Sequence, residues 1–99
     1  MPEFSVSRAA RKDLREIARY TVGKWGANQA VRYATGLQRI FQSLADHPSM
    51  GRSCDDLVPG MRRLEHGKHV VYYLPMRGEV LIVRVLHQQM IPTPAHFEP

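Results

Sequence analysis

The sequence predicts an α+β fold: an N-terminal edge strand, then an antiparallel helical hairpin packed on one face of a small antiparallel β-sheet, in the order β-α-α-β-β-β. Two patterns predict it. Apolar residues recur every three or four positions through residues 8–46, as on one face of an amphipathic helix. Residues 61–86 instead form short segments rich in Val and Tyr, separated by glycine turns, as in an antiparallel meander.

Length and composition predict one folded domain over residues 1–99. The hydrophobic and charged fractions, 43% and 23%, are typical of a globular chain. The longest apolar run is too short for a membrane span and the first residues lack a signal-peptide core, so we expect a cytoplasmic protein with no membrane partner. A single cysteine, Cys54, fits a reducing compartment.

The chain is basic, with 14 Lys and Arg against nine Asp and Glu, for a net charge of +5. This charge attracts acidic partners, and nucleic acid and an acidic protein segment both qualify. The alternative is that a basic small protein is simply soluble. Net charge therefore leaves the class of partner open.

The N-terminal segment predicts a strand followed by a helix. Phe4 and Val6 alternate in a short edge strand, and the Ser7 hydroxyl can cap a helix N-terminus. The helix extends from about Arg8 to Lys24, and its apolar stripe includes Trp25. The opposite face is basic and is interpreted as the solvated side of the helix: Arg8, Arg11, Lys12, Arg15 and Arg19.

A second helix follows within one or two residues of Gly26, so the two helices form an antiparallel hairpin. Its apolar stripe ends near Asp46, because Pro48 forbids continuation. Gly36 lies inside this helix and predicts a close helix-to-helix contact.

The C-terminal half predicts a surface connection over residues 48–60 and then three strands. The strands are Met61–His66, His69–Leu74 and one that opens at Val80. A tail over residues 91–99 carries three prolines and is expected to be extended.

The last strand, from Val80 to Leu86, is apolar on both of its alternating faces except at Arg84. A strand of this kind must be covered on both faces. The helical hairpin covers one face of the sheet, and the chain offers no evident second cover. The sequence therefore predicts that a partner protein covers the other face.

Arg84 is the most informative polar residue, because a guanidinium within an apolar strand must be paired, exposed or functional. An ion pair with Glu65 or Glu79 is the structural alternative. The functional alternative is a donor to a partner or a phosphate, within a positive surface that Arg62, Arg63 and Lys68 enlarge. Tyr72 and Tyr73 face opposite sides of one strand, so one is expected in the core and the other available for contact.

No catalytic or ligand motif is present: there is no glycine-rich phosphate loop, HExxH or pair of cysteines. The five histidines do not share a metal-binding spacing, although His66 and His69 flank one hairpin turn. We therefore expect no cofactor and no metal.

The order of elements resembles the RelE/ParE toxin superfamily of bacterial toxin-antitoxin modules, and the segments resemble its ParE branch. The matching segments cover about residues 4–90: Ala10 with Asp13-Leu14, Ile17 and Tyr20; Trp25-Gly26 with Ala30; His47-Pro48 with Gly51-Arg52; Leu57 with Pro59-Gly60-Met61-Arg62; Gly67 to Tyr73; and Ile82 to Gln88.

The resemblance implies a growth-inhibiting toxin that a ParD-like antitoxin neutralises in a hetero-oligomer, with DNA reached only through the antitoxin. ParE-branch toxins poison DNA gyrase, whereas RelE-branch toxins cut mRNA on the ribosome. The partner-binding residues are expected to be Arg62, Arg63, Lys68, Tyr72, Arg84 and His87.

The residues after the last strand favour gyrase over the ribosome. An endoribonuclease needs positive charge and a proton acceptor together, and its residues here would be Arg62, Lys68, Arg84 and His87. The strand is followed by Gln88 and Gln89 rather than by a basic pair, and glutamine cannot neutralise a phosphate. We therefore expect a gyrase inhibitor without hydrolytic activity. The alternatives are a ribonuclease of the RelE type and a non-toxic antitoxin-binding module.

Overall fold

The computed structural model describes residues 2–98 and confirms the predicted fold class. Met1 and Pro99, the ends of the predicted domain and tail, lie outside the described residues. The elements are β1 (Glu3–Val6), α1 (Arg8–Trp25), α2 (Ala27–Asp46), β2 (Arg52–Ser53), β3 (Arg62–His66), β4 (His69–Met76), β5 (Glu79–His87) and a 3₁₀ helix (Pro94–Phe97).

The five strands form one sheet in the order β1-β5-β4-β3-β2. The sheet is mixed rather than wholly antiparallel, because β1 runs parallel to β5 while the other three pairings are antiparallel. Strand direction depends on how the helical hairpin returns the chain to the sheet, which local residue patterns do not encode. The two-residue strand β2 lies within the segment expected to be only a surface connection.

Ser7 fixes the start of α1, as its position in the sequence predicted. The Ala10 N–H donates to Ser7 Oγ at 3.0 Å, and this hydroxyl donates to the Val83 carbonyl at 2.7 Å. The cap therefore also ties the first turn of α1 to β5. Gly26 ends α1 with a φ of 92°, a conformation that favours glycine.

The main core lies between the helical hairpin and one face of the sheet. Its largest fully buried side chains come from both layers: Leu37, Phe41 and Leu44 of α2 with Val71, Tyr73, Val80 and Ile82 of the sheet. This packing is the one predicted from the two apolar periodicities.

The prediction that the second sheet face lacks a cover within the chain is wrong. On that face Val70, Tyr72 and Leu86 form a second buried cluster with Cys54 and Met61. Residues 54–61 supply most of the cover with apolar side chains that follow no strand or helix period, so the sequence pattern did not reveal them.

The C-terminal tail supplies the rest of this cover and is not simply extended. Residues Pro94–Phe97 form the 3₁₀ helix, and the Phe97 ring lies 5.0 Å from the Tyr72 ring between centroids. Phe97 helps to leave Tyr72 only 2% exposed, and Tyr73, in the main core on the opposite face, is 0% exposed. The expectation that one of them stays available for contact is also wrong.

Candidate partner-binding groove

An open groove of about 980 Å³ lies between α1 and the end of β5. Its inner end is formed by Tyr33 of α2 and by the β3–β4 turn at Lys68. The groove exists because β1 has only four residues and its pairing with β5 ends at Ile82. Within residues 2–98, the rest of β5 therefore has no strand beside it on this edge.

Large apolar side chains line the outer part of the groove. Tyr20 is 63% exposed, Trp25 62% and Met90 45%. Trp25 was expected to extend the buried stripe of α1, but every residue from Val22 to Gln29 is exposed, so the tip of the helical hairpin projects beyond the core. Clustered exposed apolar side chains of this kind mark an interaction surface.

Asp13 and Arg84 form a bidentate ion pair on one wall of the groove. Arg84 Nε donates to Asp13 Oδ2 at 2.8 Å, and Arg84 Nη2 donates to Oδ1 at 2.9 Å. The same carboxylate accepts the Val85 N–H at 2.9 Å, which satisfies a backbone donor on the free edge of β5. Arg84 Nη1 donates to the His96 carbonyl at 2.8 Å and so holds the C-terminal tail.

The ion pair given as the structural alternative for Arg84 is present, but its partner is Asp13 rather than Glu65 or Glu79. Glu65 pairs with Arg52 instead. The register between β4 and β5 shifts just before Arg84, since Tyr73 pairs with Ile82 but Tyr72 pairs with Arg84. The Arg84 side chain reaches Asp13 of α1 at the open edge of β5. The hydrogen bonds to Asp13 raise the pKa of Arg84 above its ordinary value, so the guanidinium stays charged.

Two histidines and a tyrosine form the inner end of the groove. The Tyr33 hydroxyl lies 2.6 Å from His69 Nδ1 and also donates to the His66 carbonyl at 3.1 Å. The His69 and His87 rings are 5.6 Å apart between centroids. Behind them, His66 packs on α2 at Gly36, where a Cβ would lie 3.2 Å from its Nε2. The close contact predicted at Gly36 is therefore with the sheet rather than with α1.

Burial favours the neutral forms of His69 and Tyr33 at this end of the groove. It lowers the pKa of His69, and the neighbouring His87 and His66 lower it further, whereas Asp13 acts in the opposite direction. Burial also raises the pKa of Tyr33. A neutral imidazole and a neutral phenol therefore face the groove at pH 7.

The six residues predicted to bind a partner are divided between two places. Lys68, Arg84 and His87 line the groove. Arg62 donates to the Gly51 carbonyl at 2.6 Å, and Arg63 pairs in register with the buried Tyr72 on β4. The predicted set is therefore not one continuous surface.

Sequence reasoning missed Asp13, Tyr33 and His69. Asp13 gave a usable signal, because it lies three residues after Ala10 and one before Leu14, on the apolar side of α1. A carboxylate at such a position must be paired. Tyr33 lies in the apolar stripe of α2, a position typical of a core residue, and His69 flanks a hairpin turn, where histidines are usually solvated.

Residues 2–98 contain neither a metal-binding cluster nor a membrane-spanning helix. No three His, Cys, Asp or Glu side chains are placed to share a metal ion. No helix in this part of the chain is long and apolar enough to cross a membrane.

The fold matches that of chains in two solved toxin-antitoxin structures. A chain of the chromosomal ParDE system of P. aeruginosa matches with a TM-score of 0.73 and 22% identity, covering 88% of this chain and 96% of that one. A chain of the RelBE2 complex of Mycobacterium tuberculosis matches with a TM-score of 0.64 and 20% identity, covering 88% and 99%. At identities of 22% and 20%, these two matches support a shared fold alone.

Sequence comparison identifies the family. The family model described as "ParE toxin of type II toxin-antitoxin system, parDE" matches residues 4–92. Toxin ParE1 of Caulobacter vibrioides is 42% identical over 90 residues, covering 91% of this chain and 93% of that protein. Toxin ParE of Escherichia coli is 35% identical over 91 residues, covering 91% and 88%. The chain therefore belongs to the ParE toxin family of type II toxin-antitoxin systems.

We expect Asp13→Asn to lower the free energy of unfolding by about 2–3 kcal/mol, since it weakens charged hydrogen bonds to Arg84. The loss stays below that of a fully buried pair because Arg84 is partly exposed, at 22% of its side chain. Urea denaturation measures it. Glu16→Gln is the control, since this neighbouring carboxylate is exposed and makes no ion pair within residues 2–98. Equal effects of the two substitutions would contradict a structural role for Asp13.

We expect the free energy of unfolding to fall as the pH drops below about 6.5, the ordinary pKa of histidine. The pKa of His69 is lowered in the folded chain, so the unfolded chain takes up the proton more readily and gains stability at low pH. Urea denaturation between about pH 7.5 and pH 5.5 should show a smaller fall for His69→Gln than for the unsubstituted chain. His47→Gln, at an exposed histidine, should keep the full fall; an unchanged fall in His69→Gln would exclude His69 as its source.

Proposed function

We propose that this ParE-family toxin inhibits DNA gyrase, and so DNA replication, and that a ParD-like antitoxin neutralises it. The observation that carries the proposal is the match of residues 4–92 to the ParE toxin model, whose description names the parDE system. The ParDE complex of P. aeruginosa supports an antitoxin partner for the same fold. Gyrase as the target also supports action in the cytoplasm.

The antitoxin segment binds in the groove between α1 and β5. Tyr20 and Trp25 offer apolar anchors there, and aromatic side chains commonly dominate interface energies. A net charge of +5 favours an acidic segment and speeds its association. This location replaces the second sheet face, because the chain covers that face itself. The result is a hetero-oligomer of toxin and antitoxin, in which the antitoxin is the subunit expected to reach DNA.

A ribonuclease of the RelE type has weaker support. Of the four residues it would use, Lys68 and His87 line the groove. Arg62, on β3, instead donates a hydrogen bond to the Gly51 carbonyl. Arg84 lies at the groove but is held by Asp13 and the His96 carbonyl. A guanidinium with these partners is poorly placed to stabilise a phosphorane. Toxicity therefore requires no hydrolysis by this chain.

Expression of the chain alone should arrest growth, and the purified chain should inhibit supercoiling of relaxed plasmid by DNA gyrase. Mapping of mRNA 5′ ends in the same cells is the parallel measurement, and we expect no new codon-position cuts. Such cuts with normal supercoiling would establish the ribonuclease instead. Normal growth and normal supercoiling would leave a non-toxic antitoxin-binding module.

Trp25→Glu should weaken antitoxin binding by at least about 30-fold, the effect of losing an interface anchor. The antitoxin is sought as the product of the adjacent reading frame, a short protein with an acidic, amphipathic C-terminal half. Val31→Glu is the matched control, because Val31 is 65% exposed on α2 but does not line the groove. Isothermal titration measures both affinities, and equal losses would exclude the groove as the binding site.

A further inference from the structure

Five of the six basic residues of α1 form one continuous stripe on the surface of the helix, and Lys24 lies outside it. At 3.6 residues per turn they fall within an arc of about 100°, and they extend over about 17 Å of the helix axis. All of them are exposed. The members of this basic stripe are Arg8, Arg11, Lys12, Arg15 and Arg19.

No acidic side chain forms an ion pair with the basic stripe within residues 2–98, although Glu16 lies four residues after Lys12 and three before Arg19. The ion pairs there are Arg52 with Glu65 and Arg84 with Asp13, and neither includes a member of the stripe. Asp13, on the same helix, is already held by Arg84. Among the described residues, the one side-chain hydrogen bond that a member of the stripe makes runs from Arg11 Nε to the Val6 carbonyl, a neutral group.

The stability of α1 does not explain this arrangement. Side chains four residues apart on a helix are neighbours, and like charges at that spacing repel each other. The stripe contains three such pairs: Arg8 with Lys12, Arg11 with Arg15, and Arg15 with Arg19. The first turn of α1 contains no acidic residue, although the positive end of the helix dipole favours one there. A helix face selected only for solubility would carry charges of both signs.

The stripe has the chemistry of a phosphate-binding surface rather than of a protein-binding one. Between Arg8 and Arg19 this face has no large apolar side chain, and the first one along it is Val22, which is 49% exposed, whereas protein interfaces use several buried apolar anchors. Contacts to a nucleic acid backbone need only cations at suitable spacing. The exposed aromatic residues that would stack on single-stranded bases lie in the groove, outside the stripe.

We propose that the basic stripe of α1 binds the phosphate backbone of duplex DNA directly, while the groove beside the same helix binds the antitoxin. The choice of DNA over an RNA duplex rests on the proposed gyrase target. Direct contact of this kind goes beyond the expectation that DNA is reached only through the antitoxin.

The proposal is tested by fluorescence anisotropy, which measures how tightly the purified chain binds a fluorescein-labelled DNA duplex of about 20 base pairs. The binding constant is measured over a range of salt concentrations. The logarithm of the binding constant should fall linearly with that of the salt concentration, by about 0.9 for each phosphate contacted. The triple variant Arg8→Gln, Arg15→Gln and Arg19→Gln should bind at least tenfold more weakly at about 0.1 M salt and flatten the slope by about 3.

The matched control is Arg32→Gln, Arg39→Gln and Arg77→Gln, which removes the same charge from exposed arginines outside the stripe. It should bind within about threefold of the unsubstituted chain. Thermal unfolding of the stripe variant should occur at the same or a higher temperature, because the substitutions remove like-charge repulsion. A lower unfolding temperature would overturn the claim that these charges have no structural role.

Three outcomes would overturn the proposal: no duplex binding at low salt, equal losses in the two triple variants, or tighter binding of an acidic peptide than of the duplex. Equal binding of an RNA duplex would overturn the choice of DNA. The assay contains no gyrase, so failure of the gyrase proposal is separate. DNA binding together with normal supercoiling would reject the gyrase target while supporting the stripe.

Discussion

The bidentate pair between Asp13 and Arg84 joins three parts of the fold: α1, β5 and the C-terminal tail. One carboxylate on α1 holds the guanidinium and also accepts the Val85 N–H on the open edge of β5. The guanidinium in turn holds the tail at the His96 carbonyl. Because the pair lies between helix and strand, it fixes how α1 crosses the sheet, and so fixes one wall of the groove.

The position of α1 gives its two sides different tasks. One side borders the groove, where Tyr20 and Trp25 stay exposed because the hairpin tip extends beyond the core. Another side carries the basic stripe, in which the charges have no acidic partners among residues 2–98. The two sides of α1 therefore differ in chemistry, since one is aromatic and apolar and the other is cationic.

The cover of the second sheet face illustrates the limit of pattern-based reasoning. The strand from Val80 to Leu86 correctly indicated that both faces must be buried. The cover comes from residues 54–61 and from Phe97, which are too short and too irregular to show a helix or strand period. Periodic segments alone therefore predicted that the second face lacks a cover within the chain and that Tyr72 contacts a partner. In the structure the Phe97 ring packs on Tyr72.

The sequence by itself determined the α+β class, the Ser7 cap, the turn at Gly26, the two helices and the three C-terminal strands. These features depend on residues within a few positions of each other. Only the tertiary structure decided the parallel pairing of β1, the partner of Arg84, the cluster of Tyr33 with His69, and the place of the groove. Asp13 and Arg84 are 71 positions apart, so their contact depends on how the helical hairpin returns to the sheet. The sequence predicted six binding residues from charge and strand position. The fold brings three of them together in the groove, Lys68, Arg84 and His87, because these three lie beside the open edge of β5.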